Sequence, residues 1–467
     1  MNFNHWERNK VKLNVRNGVI AAVFLGAGVS GAALADSAKT LGGIVVTSDD
    51  GNFVGSLGGR IQFDYTGILP DKGSGIDSGE EENDSGFYFR RLYVTLTGKI
   101  YGWRYRIDED LANTSNPQAG FKYVFASHDI GQYGTVRIGQ AKPWRSLDEL
   151  ASDLDTTFTE RNANSASGLF GGRQYQEGVF YRYTRSSILT GHDHFWGGAS
   201  IYSLSQAGGS TVQGVGTPTQ GIGYNARLAY APYVGNREWL HVGANFSSDH
   251  ADNGATLTVA ESAWYSYKGL TQTLASQTGT LPTGVSTSAP TTANLGGGNN
   301  PNINIGQLEL AGAFGSLYLQ SELGLAKLSQ GVAASKTVPN NQNVYAISGE
   351  ATYYLTGESR GYDLDAATYT KPKPLHDYGA VELALGYNFI KNRDIPAGDT
   401  TGVCKPALGT VTADITKCDV TFFTAGVNYY VNSNVQFALD YDYGIYNIGA
   451  AGKDEPKAVN ARFQVNF

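Results

Sequence analysis

The chain lacks the charge of a nucleic-acid binder. Its 35 Lys and Arg are outnumbered by 42 Asp and Glu, and only 16% of its residues are charged; a nucleic-acid binder carries the opposite, basic footprint. Beyond the N-terminus there is no run of about 18 apolar residues, and mean hydropathy is −0.27, which excludes a helical membrane protein. Glycine is plentiful at 60 residues, about 13% against an average of about 7%, but it has no period of three, so collagen is excluded. Cysteine is scarce, two residues, and the one methionine is the initiator. What the chain does hold in quantity, besides glycine, is aromatic residues: 29 Tyr, 20 Phe and 6 Trp.

Residues 1–17 carry Arg8, Lys10, Lys12 and Arg16 against the single acid Glu7, and the apolar stretch Val19–Leu25 with small residues after it leads to Ala33-Leu34-Ala35. A basic region, an apolar region and an A-x-A end are the order of a secretory signal peptide, here residues 1–35, with 36–467 as a single mature domain. A short core helix is the alternative. Loss of those four bases and one acid takes the net charge from −7 to −10. In an oxidising compartment Cys404 and Cys418 read as a disulfide closing a Pro/Gly/Thr-containing loop, with free thiols or a metal pair as alternatives that have no His or Cys partner nearby.

From Gly55 onward the chain repeats about ten residues of alternating polarity followed by a turn or polar loop. Val435, Phe437, Leu439, Tyr441 and Tyr443 oppose Gln436, Ala438, Asp440 and Asp442; Val459, Ala461, Phe463 and Val465 oppose Asn460, Arg462 and Gln464. The same holds for Ile61/Phe63/Tyr65 against Arg60/Gln62/Asp64, for Tyr224/Ala226/Leu228 against Asn225/Arg227, and for Leu383/Leu385/Tyr387 against Glu382/Asn388. A dry core could not hold the charged face unpaired. A soluble sandwich would also alternate, but its strands average five or six residues. Strands of about ten, aromatics near their ends and an aromatic last residue point to an all-β, antiparallel transmembrane barrel with lipid outside and water inside. The 432 residues after position 35, at about 27 per strand and connection, give about 16 strands, a barrel wide enough for an aqueous channel. Residues 71–85 and 271–302 read as long surface loops. The cluster Glu80-Glu81-Glu82 reads as a solvated face, or as a bridge through divalent cations to lipopolysaccharide.

Arginine is unevenly placed. Of the 16 after position 35, 13 lie between Arg60 and Arg237. Alternation turns Arg60, Arg91, Arg104, Arg106, Arg137, Arg182 and Arg227 inward, so neighbouring strands should build a cationic stripe. Later strands send Glu309, Glu322, Glu350, Glu382, Asp440 and Asp442 into the lumen, which predicts a pore positive on one side and negative on the other. In Phe87-Tyr88-Phe89-Arg90-Arg91-Leu92-Tyr93-Val94, odd positions are lipid-facing before the arginine pair and even ones after it. One extra residue, a β-bulge, explains the switch and points both guanidiniums inward; the alternative places Arg90 at a strand end among headgroups. After Gly139-Gln140-Ala141-Lys142-Pro143-Trp144, residues 146–168 hold Asp148, Glu149, Asp153, Asp155, Glu160 and Arg161 without strand pattern, as expected of a loop folded inward to narrow the channel.

Together with Gly58-Gly59-Arg60-Ile61-Gln62, Phe89-Arg90-Arg91-Leu92-Tyr93, Ile138-Gly139-Gln140 and Glu160-Arg161-Asn162, the later pieces Tyr353–Tyr362, Gly426–Tyr430 and Arg462-Phe463-Gln464 resemble, in order and spacing, the phosphate-selective porin O/P family. The resemblance implies a 16-stranded homotrimeric porin of the outer membrane of a Gram-negative bacterium. It also implies an anion-binding constriction at Arg90, Arg91, Tyr93, Ser152 and Arg161. Planar, forked guanidinium donors suit oxyanions and can replace part of a hydration shell. The chain departs from the family in carrying Glu149 in the inward loop and Asp363 after the Leu-Thr-Gly-Glu stretch, where basic residues would be expected.

Two functions remain: passive diffusion of small anions, phosphate among them, guided by lumen arginines, or general diffusion of small hydrophilic solutes through a transverse field. An enzyme in the barrel wall lacks support, because the only local histidine cluster, His192-Asp193-His194, has no nucleophile at a meaningful spacing and is equally thin as a metal site. No cofactor is expected, since no glycine-rich phosphate loop precedes a helix.

Overall fold

The computed structural model describes residues 35–40, 43–69, 85–112, 120–162, 165, 170, 175–204, 221–251, 302–329, 341–393, 418–448, 453–455 and 457–467. The proposed signal peptide to position 34, the acidic cluster at Glu80-Glu81-Glu82 and Cys404 lie outside these residues, and of Cys418 only its place at a strand start is described.

Sixteen strands form the wall. They are β1 (Phe53–Leu69), β2 (Ser85–Ile100), β3 (Trp103–Asp110), β4 (Gly120–Asp129), β5 (Thr135–Ala141), β6 (Gln176–Ser186), β7 (His194–Ser203) and β8 (Gly221–Val234). Then follow β9 (Glu238–Ala251), β10 (Asn302–Phe314), β11 (Leu317–Ser329), β12 (Asn341–Tyr354), β13 (Ala380–Asn392), β14 (Cys418–Tyr430), β15 (Val435–Ile448) and β16 (Lys457–Asn466). Each pairs antiparallel with the next, and β16 pairs with β1 from Asn466↔Arg60 to Lys457↔Leu69. Closure leaves no open edge, the condition for a sheet whose outer face meets hydrocarbon. No described helix is long and apolar enough to cross a membrane; the strands do so.

Alternation sorts the two faces as the sequence requires. Leu228 and Leu385 stand 59% and 66% exposed on the outside, while Arg227 and Asn388 of the same strands are buried on the lumen side. Along β15, Phe437, Leu439 and Tyr441 face out, and Gln436, Asp440 and Asp442 face in. A water-soluble sheet would not leave so continuous an apolar surface uncovered.

Connections divide by length. Residues 101–102, 130–134, 187–193, 235–237, 315–316 and 431–434 are short and lie at the end that holds Phe467; at the other end the strand ends are separated by 15 residues or more between β1 and β2, β5 and β6, β7 and β8, and β9 and β10. Short turns mark the periplasmic end of such barrels. One of the two-residue turns is Tyr101-Gly102, with φ of 45° and 87°. Two consecutive positive φ values match the right-handed twist of the flanking strands, and the second is free of strain only because Gly102 has no Cβ. Below β16, Ile44–Ser48 takes its place beside β1 (Ile44↔Leu57 to Thr47↔Val54) and pairs in turn with Ala35–Thr40.

One periplasmic connection breaks the rule. Residues 355–379 form a small hairpin, Gly361–Asp363 paired with Thr368–Thr370, that enters the barrel. It meets the inward loop that follows β5, whose helical turn α1 (Leu147–Leu150) packs into an apolar cluster with Trp239, Tyr318 and Tyr369. A second cluster joins Trp144 to Phe180, Trp196 and Ala367. Full burial of a side chain such as Leu147 stabilises by about 1.5–3 kcal/mol, so the lumen carries its own small core, built from loop, hairpin and wall.

Candidate functional site

The site starts from two breaks in strand register. Gln62 pairs with Arg91 but Phe63 with Phe89, so Arg90 is an inserted residue in β2. Phe87, 65% exposed, and Phe89 face lipid; Tyr88 and Arg90 are buried on the inner side; after the bulge Tyr93 is inward and Val94 outward. Both guanidiniums therefore enter the lumen, and the alternative of Arg90 among headgroups is set aside. In β4, Val124 pairs with Ile107 but Phe121 with Glu109, so Lys122 and Tyr123 both turn inward.

The inward loop crosses to the far wall, where carboxylates receive it. Ser146 Oγ donates to Glu322 Oε2 at 2.8 Å and the Asp148 amide to Glu322 Oε1 at 2.8 Å. Thr157 Oγ1 donates to Glu350 at 2.8 Å, the Thr159 amide to Asp440 at 2.6 Å, and Asn428 Nδ2 to the Thr157 carbonyl at 2.7 Å. Phe158 of the loop seats over Gly386 of β13, where a Cβ would lie only 2.8 Å from its ring. The expectation of an acidic wall facing a positive one across water needs correcting. Glu322, Glu350 and Asp440 do turn inward, but they dock the loop, because backbone amides and hydroxyls satisfy them better than open solvent across a narrow lumen. Glu309 is held by Arg227 at 2.7 Å, and Glu382 by Arg360 at 3.2 Å.

Two cavities stay open in the lumen among the described residues: a small one between the loop and the far wall, lined by Glu160, Arg161, Glu350, Asp440 and Asp442, and a larger passage of about 230 Å³ between the loop, the hairpin and strands β1–β6. Arg90, Arg91, Tyr93, Ser152 and Arg161, drawn from strand and loop, all line it. Arg90 makes a forked pair with Glu160, Nε–Oε1 2.5 Å and Nη2–Oε2 2.9 Å. Arg91 donates to Gln62 at 2.8 Å and pairs through Nε with Asp153 at 2.8 Å. Arg60 pairs with the same Asp153 and stacks 4.4 Å over Tyr93. Arg161 donates to the carbonyls of Asp148 and Ala151, and Glu149 stands 3.8 Å from its Nε. Ser152 is exposed to the passage. Burial pushes the Glu160 carboxyl up, but Arg90 outweighs it and holds the group at about 2.

Of the wider stripe, Arg60, Arg106, Arg137 and Arg182 also line the passage, Arg106 paired with Asp108 at 2.6 Å and Arg182 with Asp365 at 3.5 Å. Two members stand apart. Arg104 sits at the periplasmic mouth, half exposed and paired with Asp129 at 2.5 Å. Arg227 points inward but is sealed under the hairpin, donating to the Ala366 and Ala367 carbonyls at 3.0 and 2.8 Å as well as to Glu309. The hairpin's backbone uses its donors, so it cannot face a solute. Among the described residues no cluster of three or more His, Cys, Asp or Glu is placed to hold a metal ion.

A family model described as phosphate-selective porin O and P matches residues 56–467. The chain belongs to that family. It is 27% identical over 413 residues to a protein of Pseudomonas aeruginosa named Porin O, covering 86% of this chain and 85% of that one. Its fold is similar to an anion-selective porin from Comamonas acidovorans, with a TM-score of 0.51 and 11% identity, covering 89% of this chain and 100% of that one. It is likewise similar to in-vitro folded OmpT of Vibrio cholerae, with a TM-score of 0.50 and 13% identity, covering 91% and 99%. The chain is thus a porin, an integral β-barrel of the Gram-negative outer membrane and a channel rather than an enzyme.

Reading by residue missed part of what lines the channel of this porin. Lys122 and Lys142 complete the cationic lining, and Asp108, Asp110 and Asp153 interrupt it. Phe121 and Val124 both facing out is the same parity switch that exposed the Arg90 bulge, so Lys122 was legible. Lys142 pairs with Glu149 at 2.6 Å, and burial pushes its ammonium down to about 8 against that attraction.

Proposed function

We propose that this porin passes small anions by passive diffusion, phosphate among them, through a constriction formed by Arg90, Arg91, Tyr93, Ser152 and Arg161, with Arg60, Arg106, Arg137 and Arg182 continuing the basic wall toward the periplasm. The observation that carries the reading is the make-up of the passage: nine Arg and Lys against six Asp line it, and the cations come from six consecutive strands and the loop. A guanidinium offers forked donors that substitute for an anion's hydration, while exit requires that no single site hold it tightly. Removal of residues 1–35, export of the barrel 36–467, a Cys404–Cys418 disulfide and assembly as a homotrimer among outer-membrane lipid and lipopolysaccharide belong to the same reading.

One observation favours the second reading, general diffusion with little ion preference. Asp153 compensates Arg60 and Arg91 together, and Glu160 compensates Arg90. Reversal potentials in planar bilayers under a KCl gradient separate the two. A chloride preference over potassium, with phosphate blocking the chloride current, supports anion selectivity; equal permeability leaves only the general channel.

A further inference from the structure

Arginines at the neck are already engaged by carboxylates, but one guanidinium below it is not. Among the described residues no hydrogen bond or ion pair engages Arg137, although it lines the passage. Its surroundings are aromatic. The guanidinium carbon lies 4.1 Å from the centre of the Phe125 ring, 5.2 Å from that of Trp144 and 6.0 Å from that of Tyr123. Tyr123 and Phe125 meet nearly at right angles, 87° with centroids 5.8 Å apart, so their faces form a corner beside the cation. A guanidinium stacked face-on over a ring keeps its N–H donors in its own plane, free to point along the passage.

A fully hydrated inorganic anion gains from the charge here and nothing from the rings. A flat apolar body gains from both, because aromatic pairs contribute beyond the area they bury. One uncompensated cation calls for one negative charge, and the fork of donors matches a carboxylate. At about 230 Å³ the open volume falls below the usual lower bound of about 300 Å³ for small-ligand pockets, which limits the guest to a single ring.

We propose that the stretch of the passage around Arg137 is a subsite for single-ring aromatic carboxylates, with Arg137 taking the carboxylate and Tyr123, Phe125 and Trp144 flanking the ring. The proposal deepens the anion-channel reading and rests on it. The test uses the full-length porin in planar bilayers in KCl, with benzoate, acetate and inorganic phosphate added in turn and the half-blocking concentration of the chloride current recorded. Benzoate is expected to block at about one-tenth of the acetate concentration, the factor that about 1.4 kcal/mol supplies. Phe125→Ala should bring benzoate and acetate to within about threefold of each other, and Arg137→Gln should raise the benzoate value by about tenfold. Equal block by benzoate and acetate in the unmodified porin, with chloride still preferred over potassium, overturns the subsite and spares the anion reading. Loss of any chloride preference instead overturns the reading beneath it. An unchanged half-blocking concentration of benzoate in Arg137→Gln also overturns the subsite.

Discussion

Asp153→Asn is the perturbation that weighs the neck most directly. Asp153 holds Arg60 and Arg91 at once, and the Gln62 amide donates to its backbone carbonyl at 3.0 Å, so the loop stays anchored when only the side-chain charge is removed. An anion on the open side of the Arg91 guanidinium would sit roughly 6 Å from that carboxylate. The repulsion it feels is about 0.7 kcal/mol if the neck behaves as bulk water and about 2.8 kcal/mol at an effective dielectric constant of 20. Neutralising Asp153 should therefore strengthen phosphate block by about threefold to a hundredfold, and by less at high salt, where the screening length falls to about 3 Å at 1 M. Half-blocking phosphate concentrations in planar bilayers at two ionic strengths, with the chloride-to-potassium reversal potential beside them, give the readout. A correctly folded Asp153→Asn channel with both values unchanged would falsify the claim that solutes pass Arg60 and Arg91 at all.

Other expectations come from the same geometry. Arg91→Glu replaces a lining cation with an anion beside Asp153, so phosphate block should fall at least tenfold and the reversal potential move toward potassium; an unmoved potential removes Arg91 from the filter. Lys142, with its ammonium lowered to about 8, is mostly charged at pH 7 and loses its charge as pH rises through 8. Chloride preference should decline between pH 7 and 9 and decline less in Lys142→Gln, and an identical pH profile in the two proteins would reject that assignment. Arg227→Met leaves Glu309 buried without its guanidinium and frees two hairpin carbonyls. Breaking such a pair is expected to destabilise by about 3–5 kcal/mol, read as a lower unfolding temperature by heat-modified gel mobility and as noisier single-channel current; full retention of both would deny the hairpin its clamp.

How much of this was legible depended on where each residue's partners sit. A period of two is written in consecutive residues, so the wall, its two faces and its strand number could be read, and so could the Arg90–Arg91 bulge, where Phe87 and Phe89 change parity with Leu92 and Val94. Alternation turns Glu322, Glu350 and Asp440 inward but hides their role, because their partners are backbone amides and hydroxyls of a loop with no periodic signal. The hairpin at 361–370 was unreadable for the same reason. Tyr362 is held by His241, 121 residues earlier at 2.8 Å, and Trp196 donates to the Asp365 carbonyl at 2.9 Å. Such contacts follow from barrel closure, which no local pattern encodes, and Arg227, though correctly placed inside, became a clamp because of them.

The compensated arginines also bear on how a channel can select and still conduct. Uncompensated guanidiniums crowded into a narrow neck would repel one another and splay, and each would bind an oxyanion strongly enough to slow its exit. Asp153 and Glu160 fix the forks of Arg60, Arg90 and Arg91 in place from the loop side and subtract part of their charge. The wall β1–β6 thus supplies attraction, while the loop sets how much of it a passing anion feels. On this view selectivity is a difference between two charge sets of similar size, so single carboxylate substitutions in residues 146–161 should move it as far as substitutions of the arginines themselves.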